Sequence, residues 1–138
     1  MKQRTLKESV KATGIGLHSG KEVNLEVKPS EPDTGIIFKR IDLKKNNLIL
    51  ANFLNVSDAT LCTTLKNEAG VSISTIEHLM AAFYGLGVDN AVVEIDQDEL
   101  PIMDGSSLNF VNLINKTGLQ SSDTPIKIIK IINNILIE

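Results

Sequence analysis

Ile73-Ser74-Thr75-Ile76-Glu77-His78-Leu79-Met80-Ala81-Ala82-Phe83 is where the hydrophobic period of the chain changes, and that change decides the fold class. Ile76, Leu79, Met80 and Phe83 recur at i, i+3, i+4 and i+7, the spacing that gathers apolar side chains on one face of a helix. Gly85 or Gly87 can close that helix in a left-handed cap. Before Ser74 the pattern is that of strands. They are expected over residues 6–12, over 23–28, where Val23, Leu25 and Val27 alternate, and over 35–41. Shorter apolar or β-branched runs at 48–54 and 60–65, separated by Asn55 to Asp58, read as further strands of a smaller sheet. After the helix, residues 90–96 read as a buried strand and residues 100–105 as a turn. Ser106 is placed to cap a second helix that runs to about Lys116, with Gly118 beyond it. Strands, helix, strand, helix is the order of an α+β two-layer sandwich, a mostly antiparallel sheet packed on two helices.

The chain has 138 residues, enough to bury one substantial core. Its 14 basic and 17 acidic residues are spread along the chain for a formal charge of -3, so no basic surface points to nucleic acid. Cys62 is the only cysteine, which excludes an intrachain disulfide and a cysteine-rich zinc cluster and suits a reducing compartment. The charged start Met1-Lys2-Gln3-Arg4 leads into no apolar signal region, and no run approaches the roughly 20 apolar residues of a membrane span. The chain therefore reads as cytoplasmic. Residues 120–125 are polar and end in Pro125, as linkers do. Residues 126–132 and 135–138 are strongly strand-like, and an unpaired apolar strand is an aggregation hazard, so the chain is expected to continue past Glu138.

The chemistry-bearing residues centre on the same helix. On a helical wheel His78 falls opposite the apolar stripe, beside Ala81 and Ala82, where small side chains would let another surface come close. Imidazole is the commonest zinc ligand. A carboxylate beside it can serve as base toward water, whose pKa zinc lowers to about 7. Against this stands a purely structural reading. Ser74-Thr75-Ile76-Glu77 matches the capping box, in which Glu77 would bond back to the Ser74 amide. There is no H-E-x-x-H motif, and the only other histidine is His18. His18 sits in Thr13-Gly14-Ile15-Gly16-Leu17-His18-Ser19-Gly20, a loop that lacks the phosphate-binding signatures. It reads either as a solvated turn residue or as a metal or substrate contact. Cys62 has no neighbouring base to mark it as a nucleophile, and Asp104 before Gly105 has the pattern of a turn residue.

Taken together and in order, residues 2–6 (Lys2-Gln3-Arg4-Thr5-Leu6), 14–20, Leu61-Cys62-Thr63, 74–79, 85–90 and 101–106 resemble the UDP-3-O-acyl-N-acetylglucosamine deacetylases of lipid A synthesis. The resemblance implies the first half of a duplicated two-domain zinc enzyme, each half a sheet packed on helices, with the active site in the cleft between them. It implies that His78 is one zinc ligand and Glu77 the general base that activates water against the acetamide carbonyl. The other ligands would come from an H-K-x-x-D segment of the second domain, which this sequence lacks. Leu61 and Cys62 would lie along the substrate groove, with His18 and Asp104 in loops near the cleft. On this reading residues 1–120 form the first deacetylase domain, 121–125 a linker and 126–138 the first strands of the second domain, and the chain alone is inactive. The rival is a non-enzymatic interaction module that keeps the fold and binds a partner through the His78 face.

Overall fold

The computed structural model describes residues 1–137. In chain order the elements are β1 (Lys2–Leu6), β2 (Val10–Ile15), β3 (Glu22–Pro29), β4 (Ile36–Arg40), β5 (Leu48–Leu50), a 3-10 turn (Phe53–Asn55), β6 (Val56–Asp58), β7 (Thr64–Lys66), β8 (Ser72–Ile73), α1 (Glu77–Leu86), β9 (Ala91–Ile95), α2 (Leu108–Thr117) and β10 (Leu119–Pro125). The fold is α+β. A five-stranded sheet runs β2-β3-β9-β4-β5, flanked by a three-stranded sheet β6-β7-β8 and a pair β1-β10. Most pairings are antiparallel, as expected, but β4 and β9 run parallel. A parallel pair needs a long crossover, and here that crossover carries β5, the small sheet and α1.

Alternation along the strands separates the two faces of the large sheet. Val23, Leu25 and Val27 of β3 and Ala91, Val93 and Ile95 of β9 are buried, with Phe38 and Ile49 beside them at 0% exposure. The opposite face carries charge. Lys28 lies 2.6 Å and Lys39 2.9 Å from the Glu94 carboxylate. These two lysines hold the Glu94 carboxyl below its ordinary pKa. The helices cover the apolar face with Leu79, Ala82 and Phe83 from α1 and Phe110 and Ile114 from α2.

Several sequence expectations change. Residues 6–12 form no single strand: β1 pairs with β10 while β2 pairs with β3, so the chain breaks at Lys7–Ser9 to pass between sheets. Asn55 to Asp58, read as a separator, supplies β6, which pairs with β7. The polar stretch 120–125 belongs to β10. Backbone bonding is indifferent to side-chain polarity, and Ser122 Oγ adds a bond to the Gln3 carbonyl at 3.2 Å. Residues 126–137 hold no strand, although Ile128, Ile129, Ile131 and Ile132 have strand-forming side chains, because a strand exists only against a partner edge. Glu138 lies outside the described residues. Ala82, expected beside His78 on the open face, is fully buried: α1 packs against α2 as well as the sheet, which widens its apolar stripe.

The end of α1 is tied to β1. Arg4 Nε donates to the Gly87 carbonyl at 3.0 Å and Arg4 Nη2 donates to the Leu86 carbonyl, meeting the helix carbonyls that lack intrahelical partners. The small sheet is tied to the large one by Arg40 Nη1, which donates to the Ser72 carbonyl at 2.9 Å, and by Asn67 Nδ2, which donates to the Leu48 carbonyl at 3.0 Å. Phe38, fully buried on β4, tests the core: Phe38→Ala is expected to cost about 3–5 kcal/mol, read as a lowered midpoint in denaturant unfolding.

Candidate active site

Glu77 is the first residue of α1 and His78 the second. The capping box does not form: α1 has no side-chain cap, and the Ser74 hydroxyl donates to the Asp98 carbonyl at 3.1 Å. Glu77 turns outward instead, and its Oε2 accepts the Thr63 amide at 3.1 Å. That bond brings the Leu61-Cys62-Thr63 segment of the small sheet to the start of the helix. Cys62 is half-buried, with Sγ 3.8 Å from Thr64 Oγ1, and Leu61 is 82% exposed beside it. His78 is half-buried, and the helix surface beyond it is formed by exposed Ala81, Tyr84 and Gly85.

The second part of the site is a carboxylate that the sequence reading passed over. Glu99 is 2% exposed, and it gathers donors from two separate segments. Oε1 accepts the His18 amide at 2.9 Å and the Thr75 hydroxyl at 3.2 Å, while Oε2 accepts the Ser19 amide at 2.8 Å. Burial acts to raise its pKa, but the hydrogen bonds from His18, Ser19 and Thr75 outweigh it and hold the carboxyl below its ordinary value. Two glycines of the loop answer to close packing against the 99–103 segment. A Cβ on Gly16 would lie 2.5 Å from Glu99 Oε2, and one on Gly14 would lie 2.8 Å from Pro101 Cβ. The loop thus packs on the 99–103 turn, with Gly16 bridged to Pro101 and the Ile102 amide donating to the Ile15 carbonyl at 2.9 Å. In the sequence Glu99 carries no motif, only its place immediately before the turn expected at residues 100–105.

His18 and Asp104 are both exposed, on loops joined through the Gly16–Pro101 bridge. The bonds of Asp104 are local: its Oδ1 accepts the Ser106 hydroxyl at 2.9 Å and the Ser106 amide at 3.0 Å. Those bonds lower its pKa. Ser106, expected as the cap of the second helix, accepts the Leu108 amide on its hydroxyl at 3.1 Å, and α2 starts one residue later than that cap implies. Among the described residues no three His, Cys, Asp or Glu side chains converge as a metal site. Zinc sites normally use three or four protein ligands, more than the Glu77–His78 pair offers.

The fold is α+β, and it sets a glutamate and a histidine side by side at the start of a helix, next to exposed Ala81, Tyr84 and Gly85. Residues 3–138 match the family described as "LpxC: UDP-3-O-acyl N-acetylglycosamine deacetylase", and the chain belongs to that family. Relatives named UDP-3-O-acyl-N-acetylglucosamine deacetylase include those of Pseudoalteromonas atlantica, 50% identical over 131 residues, and Vibrio cholerae, 48% identical over 138 residues. The match covers 95% and 100% of this chain but only 43% and 45% of those two proteins. A third, from Teredinibacter turnerae, is 49% identical over 138 residues, again 45% of its length. The chain spans less than half the length of the curated relatives it matches.

The lowered pKa of Glu99 has a consequence for stability. Its contribution is complete above the ordinary glutamate value of about 4.3 and is lost as pH falls through the lower folded-state value. Acid unfolding followed by circular dichroism is expected to show this loss in the wild type, and Glu99→Gln is expected to flatten that part of the stability curve.

Proposed function

We propose that this chain supplies the general base and one zinc ligand of a deacetylase that removes the N-acetyl group of UDP-3-O-acyl-N-acetylglucosamine, an early step toward lipid A. The observation that carries the reading is the Glu77–Thr63 bond, which gathers the Glu-His pair and the Leu61-Cys62-Thr63 segment, two of the ordered motifs, at one place. Family membership supplies the reaction class. A nucleotide-sugar substrate and the lone Cys62 thiol both suit the cytoplasm. No helix among the described residues is long and apolar enough to cross a membrane.

Amide hydrolysis needs a proton taken from water as its oxygen adds to the carbonyl carbon. It then needs a proton delivered to nitrogen as the C–N bond breaks, leaving acetate and a free amine. Glu77 is suited to the first task. One carboxylate oxygen accepts the Thr63 amide, which leaves the other oxygen to receive the proton. His78, one residue further along the same turn, would hold zinc through its imidazole as one member of a ligand set completed outside this chain. Zinc, when bound, supplies Lewis acidity toward the carbonyl and the attacking water. Leu61 and Cys62 line the substrate groove in this proposal, with Leu61 offering exposed apolar surface to the acyl-bearing sugar. His18 and Asp104 flank it from the two joined loops. Residues 126–138 begin the second domain, which would cover the exposed isoleucines.

In the full-length protein that contains this chain, Glu77→Gln is expected to lower kcat for acetate release by roughly 10²–10⁴-fold. His78→Ala is expected to weaken zinc retention in equilibrium dialysis, and the 138-residue chain by itself is expected to release no acetate. Wild-type rates from Glu77→Gln, or turnover by the isolated chain, would overturn the assignment. A full-length wild type that binds a partner but deacetylates nothing would favour the interaction-module reading.

A further inference from the structure

α1 begins without a side-chain cap, so its first turn takes its direction from the residues before it. Thr75 is the decisive one. It is 2% exposed and has φ of 58°, a left-handed backbone that β-branched residues rarely adopt. Such a conformation persists only where the surroundings over-determine it. Here they do so from one direction. The Ser74 amide donates to the Asp98 carbonyl at 2.9 Å and the Leu100 amide donates to the Ser74 carbonyl at 3.0 Å, locking Ser74 against the 98–100 segment. From that segment Glu99 reaches over to accept the Thr75 hydroxyl, and the same carboxylate accepts the His18 and Ser19 amides.

We propose that Glu99 is the positioning residue of the site: its buried carboxylate holds Thr75 in the left-handed turn that aims Glu77 and His78, and it anchors the His18 loop to the same point. This rests on the catalytic reading of Glu77 and His78. Glu99 touches neither residue in the hydrogen-bond network and acts through Thr75. A neutral amide in its place would turn a donor toward donors that now meet oxygen, so one of the His18, Ser19 and Thr75 bonds would be lost.

The test uses the full-length protein. Glu99→Gln is expected to lower kcat at full zinc loading by roughly tenfold to a hundredfold, the scale of a misplacement near 1 Å, with KM within about twofold of wild type. Thr75→Val deletes only the hydroxyl bond and keeps the side-chain volume, so it remains informative where Glu99→Gln folds poorly. A decrease of about threefold or more in kcat is expected, again without a matching change in KM. A readout independent of activity is the backbone amide spectrum, in which both variants are expected to shift the resonances of Glu77 and His78. Loss of thermal stability with unchanged kcat per bound zinc and unmoved Glu77 and His78 resonances would make Glu99 a structural residue only and overturn the proposal. An inactive wild type would defeat the deacetylase reading while leaving the amide shifts as a separate test of positioning.

Discussion

β9 has a neighbour on each side, antiparallel β3 and parallel β4, and the arrangement of the chain follows from that double pairing. Its inward residues Ala91, Val93 and Ile95 are fully buried, while Glu94 on the other face is held between Lys28 and Lys39. A strand bonded on both edges with one apolar face cannot slip by one residue without turning Glu94 into the core. The register of β9 is therefore firmly set. Because β4 precedes it in parallel, the crossover that carries the small sheet and α1 must be returned to the apolar face, which α1 covers with Leu79, Ala82 and Phe83.

The site grows from the ends of these elements. The chain leaving β9 reaches Glu99 within four residues, and the turn from Glu99 to Met103 is where the glycine-rich loop packs. A carboxylate taken out of water is tolerated only when donors surround it, and the donors here come from segments distant in sequence. Glu99 thus converts a requirement of burial into a geometric constraint on the residues before α1. The small sheet approaches from the other side, bound to the large sheet through Arg40 and to α1 through the Thr63–Glu77 bond. The Glu-His pair lies where these two attachments meet.

Much of this was legible in the sequence. The 3.6-residue period of Ile76, Leu79, Met80 and Phe83 and the alternation of Val23, Leu25 and Val27 are local signatures of burial on one face, and both elements formed where those patterns lie. Other local patterns depend on partners distant in sequence. Ser74, residues 120–125 and the isoleucine-rich run after Pro125 each carry a local pattern, but what each pairs with is set elsewhere in the chain. Ser74 found Asp98, residues 120–125 found β1, and the isoleucine-rich residues found no edge among those described.

The sequence by itself determined the α+β class, the helix that carries Glu77 and His78, and, through its ordered motifs, the family. These rest on periodicity and residue identity, which act within a few turns or along the linear order. Tertiary structure alone decided that Glu77 meets Thr63 rather than Ser74, that Ala82 is buried while Ala81 is open, and that Glu99 joins the His18 loop to Thr75. Hydrogen bonds of a buried carboxylate and the width of a packed helix face are set by which segments the sheet brings together, and no local pattern encodes that meeting.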